Sequence, residues 1–181
     1  MKEIRLHGRG GQGVIKASQL IVAAAVARKE YGQSIPFFGV ERKGSPVFVY
    51  LRLSNTEPIR RKTQVYEPDI IVILDDTLVQ NHVTYDGLKE GGTLIINSTK
   101  DISMLNVPEQ AGVVALIDAT GISEDLLGRN RPNSPIVGAF AKVTGLVDRE
   151  LILREVENAF GSKNRTCAER AFDEVKIVKE V

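Results

Sequence analysis

Gly8-Arg9-Gly10-Gly11-Gln12-Gly13-Val14 is the stretch of this chain best suited to chemistry. Its glycines stand between a strand-like run, residues 3–7, and an alanine-rich segment, residues 17–27, that contains no helix breaker. Glycines at such a junction allow a tight turn and a close approach of the backbone to another group. The N–H groups that open the following helix lack partners and lie at the positive end of its dipole, so they form an anion site. A phosphate-bearing ligand or a partner's carboxylate suits that site. The same glycines also serve simple close packing of strand on helix, and both uses stay open.

Gly8, Gly10 and Gly13 satisfy Gly-x-Gly-x-x-Gly, the loop of dinucleotide-binding enzymes. That motif needs an acid about 20 positions on, at the end of the second strand, for the ribose. Glu30 precedes the expected helix stop at Gly32, and Glu41 lies beyond the run broken by Pro36. A self-contained NAD-type oxidoreductase is therefore the alternative reading. The phosphate loop of nucleotide hydrolases fails, because Val14 stands where its lysine belongs. No Ser-His-Asp arrangement is visible. His7 ends a strand and His82 lies in a polar helix, so both read as surface residues rather than bases. Two basic groups, Arg42-Lys43 and Arg60-Arg61-Lys62, flank one hairpin. They suit an anionic cofactor tail, a partner's acidic surface, or a charged edge that resists strand aggregation.

Composition narrows the classes. A chain of 181 residues with 43% apolar and 26% charged residues reads as one globular domain, residues 1–181. Its net charge of +1 gives no field that favours nucleic acid or a membrane surface. A single cysteine, Cys167, excludes an internal disulfide and a cysteine-ligated cluster built from this chain alone. With only two histidines, a multi-histidine metal site is not expected either. No signal peptide or membrane span is read, and a cytoplasmic protein is expected.

These groups need elements to position them. Apolar spacing predicts a helix over 14–31, stopped by Gly32. Residues 33–38 read as a second strand, restricted to an edge by Pro36. Residues 47–53 alternate strictly, and with the turn at 54–58 they predict a hairpin from about 47 to 65. Three continuous apolar runs follow, 70–74, 93–96 and 113–117, which read as parallel strands buried on both faces. Helices are expected at 77–90, 101–106, 121–128, 135–146, 149–160 and 165–180. Asp148 and Asn164 are the expected caps of the last two, with Cys167, Val175 and Val178 on or near a buried face. Asp75, Asp76, Asn97 and Asp118 end strands and read first as caps and turn residues. The fold class is α/β: a three-layer, open, mainly parallel sheet with helices on both faces and an added β-hairpin.

With these residues assembled, the chain resembles the gamma subunit of a 2-oxoacid:ferredoxin oxidoreductase, above all the pyruvate and branched-chain members. The opening loop 8–14 resembles the family's signature. Gly39-Val40-Glu41-Arg42-Lys43-Gly44-Ser45-Pro46 is similar to its second glycine-rich segment. Residues 68–72 and 132–139 match its pattern as well. The resemblance implies a complex that decarboxylates a 2-oxoacid, passes electrons to ferredoxin and transfers the acyl group to coenzyme A. It implies alpha, beta and delta partners, with thiamine diphosphate between alpha and beta and iron–sulfur clusters in delta. It points to Gly8, Arg9, Gly10, Gly11, Gln12, Gly13, Arg42, Lys43 and Asn133 as candidates for coenzyme A contact. Packing of the loop against the alpha subunit is the other use of these residues.

Overall fold

The computed structural model describes residues 1–37 and 44–181. Among them the chain forms seven strands and five α-helices. The strands are β1 (Lys2–Arg9), β2 (Tyr31–Phe37), β3 (Pro46–Ser54), β4 (Ile70–Ile73), β5 (Gly92–Asn97), β6 (Ala111–Ile117) and β7 (Lys176–Glu180). The helices are α1 (Val14–Ala27), α2 (Ala119–Leu127), α3 (Asn133–Thr144), α4 (Arg149–Phe160) and α5 (Ser162–Glu174). One sheet runs in the order β2-β3-β1-β4-β5-β6-β7. Its centre, β1-β4-β5-β6, is parallel. β3 joins β1 antiparallel, β2 joins β3 antiparallel, and β7 joins β6 antiparallel.

The three apolar runs become β4, β5 and β6, and side-chain alternation divides them between two cores. Ile70, Val72 and Leu74 face one core with Ile95 and Ile117, where all five α-helices pack. Ile71, Ile73, Leu94, Ile96 and Val114 face the other. Helical layers thus cover both faces of the central sheet, but the second is thin. It is made of short 3-10 turns at Asp76–Gln80, His82–Tyr85 and Ile102–Met104, whose Leu78, Val79, Tyr85 and Ile102 close that side.

Several expected elements are corrected. The helix expected over 77–90 is broken because Asn81 is extended and caps the second turn through Val83 N–H. The helix expected over 101–106 is one 3-10 turn, capped by Asp101. The first helix stops at Ala27, not before Gly32. Glu30 N–H turns back to Ala25 O, Lys29 is left-handed, and Gly32 lies inside β2. The hairpin of 47–65 does not form. β3 finds partners in β1 and β2, and residues 55–69 carry no strand. The added hairpin is β2–β3, and Pro36 sits on the edge strand as expected.

The last helix also ends early, at Glu174. Val175 is extended, and Lys176–Glu180 pair with β6, supplying the ladder that β6 lacks on its outer side. Val178 is consequently 41% exposed rather than buried. Asn164 lies inside the first turn of α5 and donates to Phe160 O, and Gly161 takes the cap position. Asp148 caps α4 through Glu150 and Leu151 N–H, as its position predicts. Cys167 is buried, and desolvation pushes its thiol up.

Arg52 is the one arginine of β3 and is 1% exposed. Its guanidinium meets Glu3 Oε1 at 2.8 Å, Gln33 Oε1 at 3.3 Å and Gln64 O at 3.1 Å. It therefore ties β1, β2 and the segment after β3 to one point. Arg52→Ala leaves Glu3 without its partner in a mostly buried setting. Urea unfolding is expected to show a loss of about 3–5 kcal/mol.

Candidate functional site

The glycine loop lies where the sheet's connections diverge. From β1 the chain passes through α1 to β2 and β3 on one side, then returns to β4 on the other. Ligands of open α/β sheets bind outside the strand carboxyl ends at such a point. β1 ends at Arg9, β4 ends at Ile73, and α1 starts at Val14, so loop 8–13 and residues 74–77 face each other there.

Two glycines are required by geometry. A Cβ on Gly8 would stand 2.5 Å from Val14 Cγ2 and 3.2 Å from Leu74 Cβ. Gly13 has φ 82°, and a Cβ there would press on the Asn133 side chain at 3.0 Å. The second contact brings Asn133, at the start of α3, against the loop. α1 itself begins with no side-chain cap and no acid in its first turn, so its leading N–H groups keep their anion-binding character.

The loop's polar side chains are locked by one carboxylate that the sequence reading treated as a turn residue. Gln12 Nε2 donates to Asp75 Oδ2 at 2.7 Å, and Arg9 Nε lies 3.5 Å from the same oxygen. Gln12 Oε1 accepts from Arg9 N–H at 2.8 Å. The Arg9 guanidinium also donates to Thr77 Oγ1 at 2.7 Å and to Gly44 O at 3.1 Å. Asp75 does cap the turn through Thr77 N–H. Burial pushes its carboxyl up, but hydrogen bonds from Thr77 and Gln12 and the Arg9 charge outweigh this and hold it below the usual carboxylate range. Gly10 adds backbone bonds, N–H to Ser45 O and C=O from Gly44 N–H. An acid directly after a continuous apolar strand was the available signal for Asp75.

A polar cleft of about 330 Å³ opens beside Gln12 and Asp75, with Asn97, Ser98, Asp118 and Thr120 on its far wall. Asn97 spans from Leu74 O to Thr120 and keeps the ends of β4 and α2 in register. A larger cleft of about 1040 Å³ lies away from the loop, between residues 98–102 and 173–178. Arg42 and Lys43 fall outside the described residues, while Arg60, Arg61 and Lys62 are exposed. The dinucleotide reading loses its geometry. The sheet neighbour of β1 on the α1 side is antiparallel β3, and Glu30 pairs with Arg28 before β2 begins.

His7 is corrected from surface to interior. It is 3% exposed, lies edge-on to Phe48 with ring centroids 4.9 Å apart, and has no hydrogen-bond partner at either ring nitrogen among the described residues. His82 is exposed as expected.

The sequence pattern of the pyruvate ferredoxin/flavodoxin oxidoreductase family matches residues 3–174. The chain belongs to this family. It is 43% identical to the pyruvate/ketoisovalerate oxidoreductases common subunit gamma of Thermococcus kodakarensis, over 98% of both chains. It is 42% identical to pyruvate synthase subunit PorC of Methanothermobacter marburgensis, over 97% of this chain and 98% of that one. The crystal structure of pyruvate oxidoreductase subunit PORC from Thermotoga maritima superimposes with a TM-score of 0.86 at 33% identity, covering 99% of this chain and 100% of that one. The chain is thus a gamma subunit of the 2-oxoacid:ferredoxin oxidoreductase type, a component of a multi-subunit oxidoreductase. Among the described residues, no helix of this gamma subunit is long and apolar enough to cross a membrane.

Two outcomes test the site. Gly13→Ala places a Cβ in a left-handed position against Asn133, and urea unfolding is expected to show a loss of about 1–2 kcal/mol. The second is pH-dependent. Burial, and then the nearby Arg5 charge, push His7 from 6.5 down to about 3. The folded chain keeps His7 neutral while the unfolded chain takes up a proton. Stability is therefore whole above about pH 6.5 and falls as pH drops toward about 3, by up to about 1.4 kcal/mol per pH unit. His7→Leu should remove this slope, read as the wild-type-minus-variant difference in urea midpoints between pH 7 and pH 4.5.

Proposed function

We propose that this gamma subunit serves a complex that oxidatively decarboxylates pyruvate or a branched-chain 2-oxoacid, with coenzyme A as acyl acceptor and ferredoxin as electron acceptor. Its partners in this reading are alpha, beta and delta subunits. Thiamine diphosphate and iron–sulfur clusters belong to those partners, in keeping with the single cysteine here. The full-length match to gamma subunits of pyruvate and ketoisovalerate oxidoreductases carries the reading.

Within it, the glycine loop is the coenzyme A side of the subunit. The local chemistry fits an anionic group. The start of α1 offers uncapped N–H donors, its first turn has no acid, and Asp75, the carboxylate bonded to the loop, is already engaged by Arg9, Gln12 and Thr77. Gly8, Gly10, Gly11 and Gly13 let a phosphate approach the backbone. Arg9 and Gln12 hold the loop's shape, and Asn133 buttresses Gly13. Arg42 and Lys43 supply the cations for the phosphate tail. Bound coenzyme A supplies the thiol that takes the acyl group as a thioester.

The test is reconstitution. The isolated chain should reduce no viologen with pyruvate or 2-oxoisovalerate, and activity should appear with the neighbouring subunits and require coenzyme A. Arg42→Gln with Lys43→Gln should raise the KM for coenzyme A several-fold at unchanged thermal stability. An unchanged KM would remove the coenzyme A assignment. Full activity of the partners without this chain would remove the assignment of an essential subunit.

A further inference from the structure

Helices α1 and α3 lie side by side and run the same way. Their starts touch: a Cβ on Gly13, which heads α1, would stand 3.0 Å from Cβ, Cγ and Nδ2 of Asn133, the first residue of α3. Their ends touch as well, where Arg28 donates to Leu146 O. Neither start has a side-chain cap, and neither first turn holds an acid. The unpaired N–H groups and positive dipole ends of two helices therefore share one seam. Parallel dipoles placed side by side repel, and an anion at their common positive end offsets that repulsion. Gly13 leaves the seam open because it has no side chain, and a Cβ on the neighbouring Gly11 would meet nothing within 4 Å.

Asn133 supplies a second, independent observation. It is 6% exposed, and its side-chain amide makes no hydrogen bond among the described residues. A buried amide without a partner is costly, and one that lies against the start of α1 points to a partner that arrives with a ligand. The cleft beside Gln12 has the opposite character. Asp75, Asp76 and Asp118 line it, so an anion stays at the helix starts and only an uncharged arm enters the cleft. A single phosphate on α1 leaves Asn133 and the start of α3 unanswered, whereas two linked phosphates reach both. We infer that the seam between α1 and α3 seats a diphosphate, one phosphate on the N–H groups of α1 and the next on the Asn133 amide and the N–H groups that open α3. The inference rests on the coenzyme A reading and sharpens it. This subunit recognises the cofactor by its diphosphate bridge, Asn133 is a specificity-determining contact, and the 3′-phosphate lies outside the seam.

The experiment uses the assembled complex at fixed free magnesium and measures inhibition against coenzyme A by three adenosine probes. ADP carries a diphosphate, adenosine 3′,5′-bisphosphate carries two separate phosphates, and AMP carries one. ADP should compete with coenzyme A about tenfold more tightly than either of the others. Asn133→Asp keeps the size of the side chain and sets a carboxylate at the seat. It should weaken ADP inhibition about tenfold, and lower the preference for coenzyme A over phosphate-free pantetheine by a similar factor. A merely structural defect would slow both acyl acceptors and leave that preference where it was. Wild-type preference and wild-type ADP inhibition in the variant overturn the inference. Inhibition by adenosine 3′,5′-bisphosphate as tight as by ADP also overturns it. If Asn133→Asp does not assemble, Asn133→Ala decides by the same ratio: a fall supports the seat, and no change overturns it. Calorimetric titration of ADP into the complex separates the two readings. ADP bound by wild type and lost in the variant supports the seat even if turnover needs no coenzyme A, a result that removes the coenzyme A reading alone. Turnover that needs coenzyme A, with equal ADP binding by both proteins, removes the seat alone.

Discussion

The carboxylate of Asp75 is the contact on which the site depends. It stands at the carboxyl end of β4 and holds Gln12 and Arg9 across the gap to β1. Without it, four glycines in a six-residue loop have no reason to keep one shape, because glycine loses more conformational freedom on ordering than any other residue. Gly10 adds backbone bonds to residues 44 and 45, so the entry of β3 is tied into the same lock. Asp75 thus joins β4 to β1, and Arg9 and Gly10 carry the tie on to the entry of β3. It does so with its charge already satisfied, which leaves the start of α1 open to an anion.

A component of a multi-subunit oxidoreductase meets its partners through its surface, and rigidity keeps the parts of that surface at fixed relative positions. The two cores serve this unequally. One is deep, with five helices packed on the sheet; the other is a thin cover of capped 3-10 turns. Beyond β1 the same side of β3 and β2 has no 3-10 layer: Arg52 is covered by the segment at Gln64, while Ile35, Phe48 and Tyr50 are half-buried. The arrangement of a gamma subunit, with a loop at the sheet's switch point and an aromatic face near one edge, follows from where helical cover stops.

Much of the site was legible in the chain. Glycines between a strand and a helix locate the loop, and the second glycine-rich segment and the Pro132–Ala139 stretch tie it to a family pattern. Asn133 came from that pattern alone, and the structure gives it a physical reason, contact with Gly13. Asp75 was visible only as a turn residue. Its reach to Gln12 spans 63 positions, and no local pattern encodes a contact between the ends of two strands. His7 was misplaced for a related reason. A histidine in an alternating strand looks solvent-facing until the strand is known to be central and covered on both sides.

The sequence by itself determined what depends on local chemistry. Continuous apolar runs specify buried parallel strands, strict alternation specifies β3, Pro36 restricts β2 to an edge, and Asp148 starts α4. Tertiary structure decided what depends on partners. The expected return arm of the hairpin formed no strand because β3 already had β1 and β2 on either side. The end of the chain became β7 because β6 offered an unpaired ladder, and pairing with it outweighed the helical pattern of residues 175–180. Residues 77–90 became two 3-10 turns because Asp75 and Asn81 each satisfy backbone donors locally, and a side chain that caps a turn also ends the helix before it.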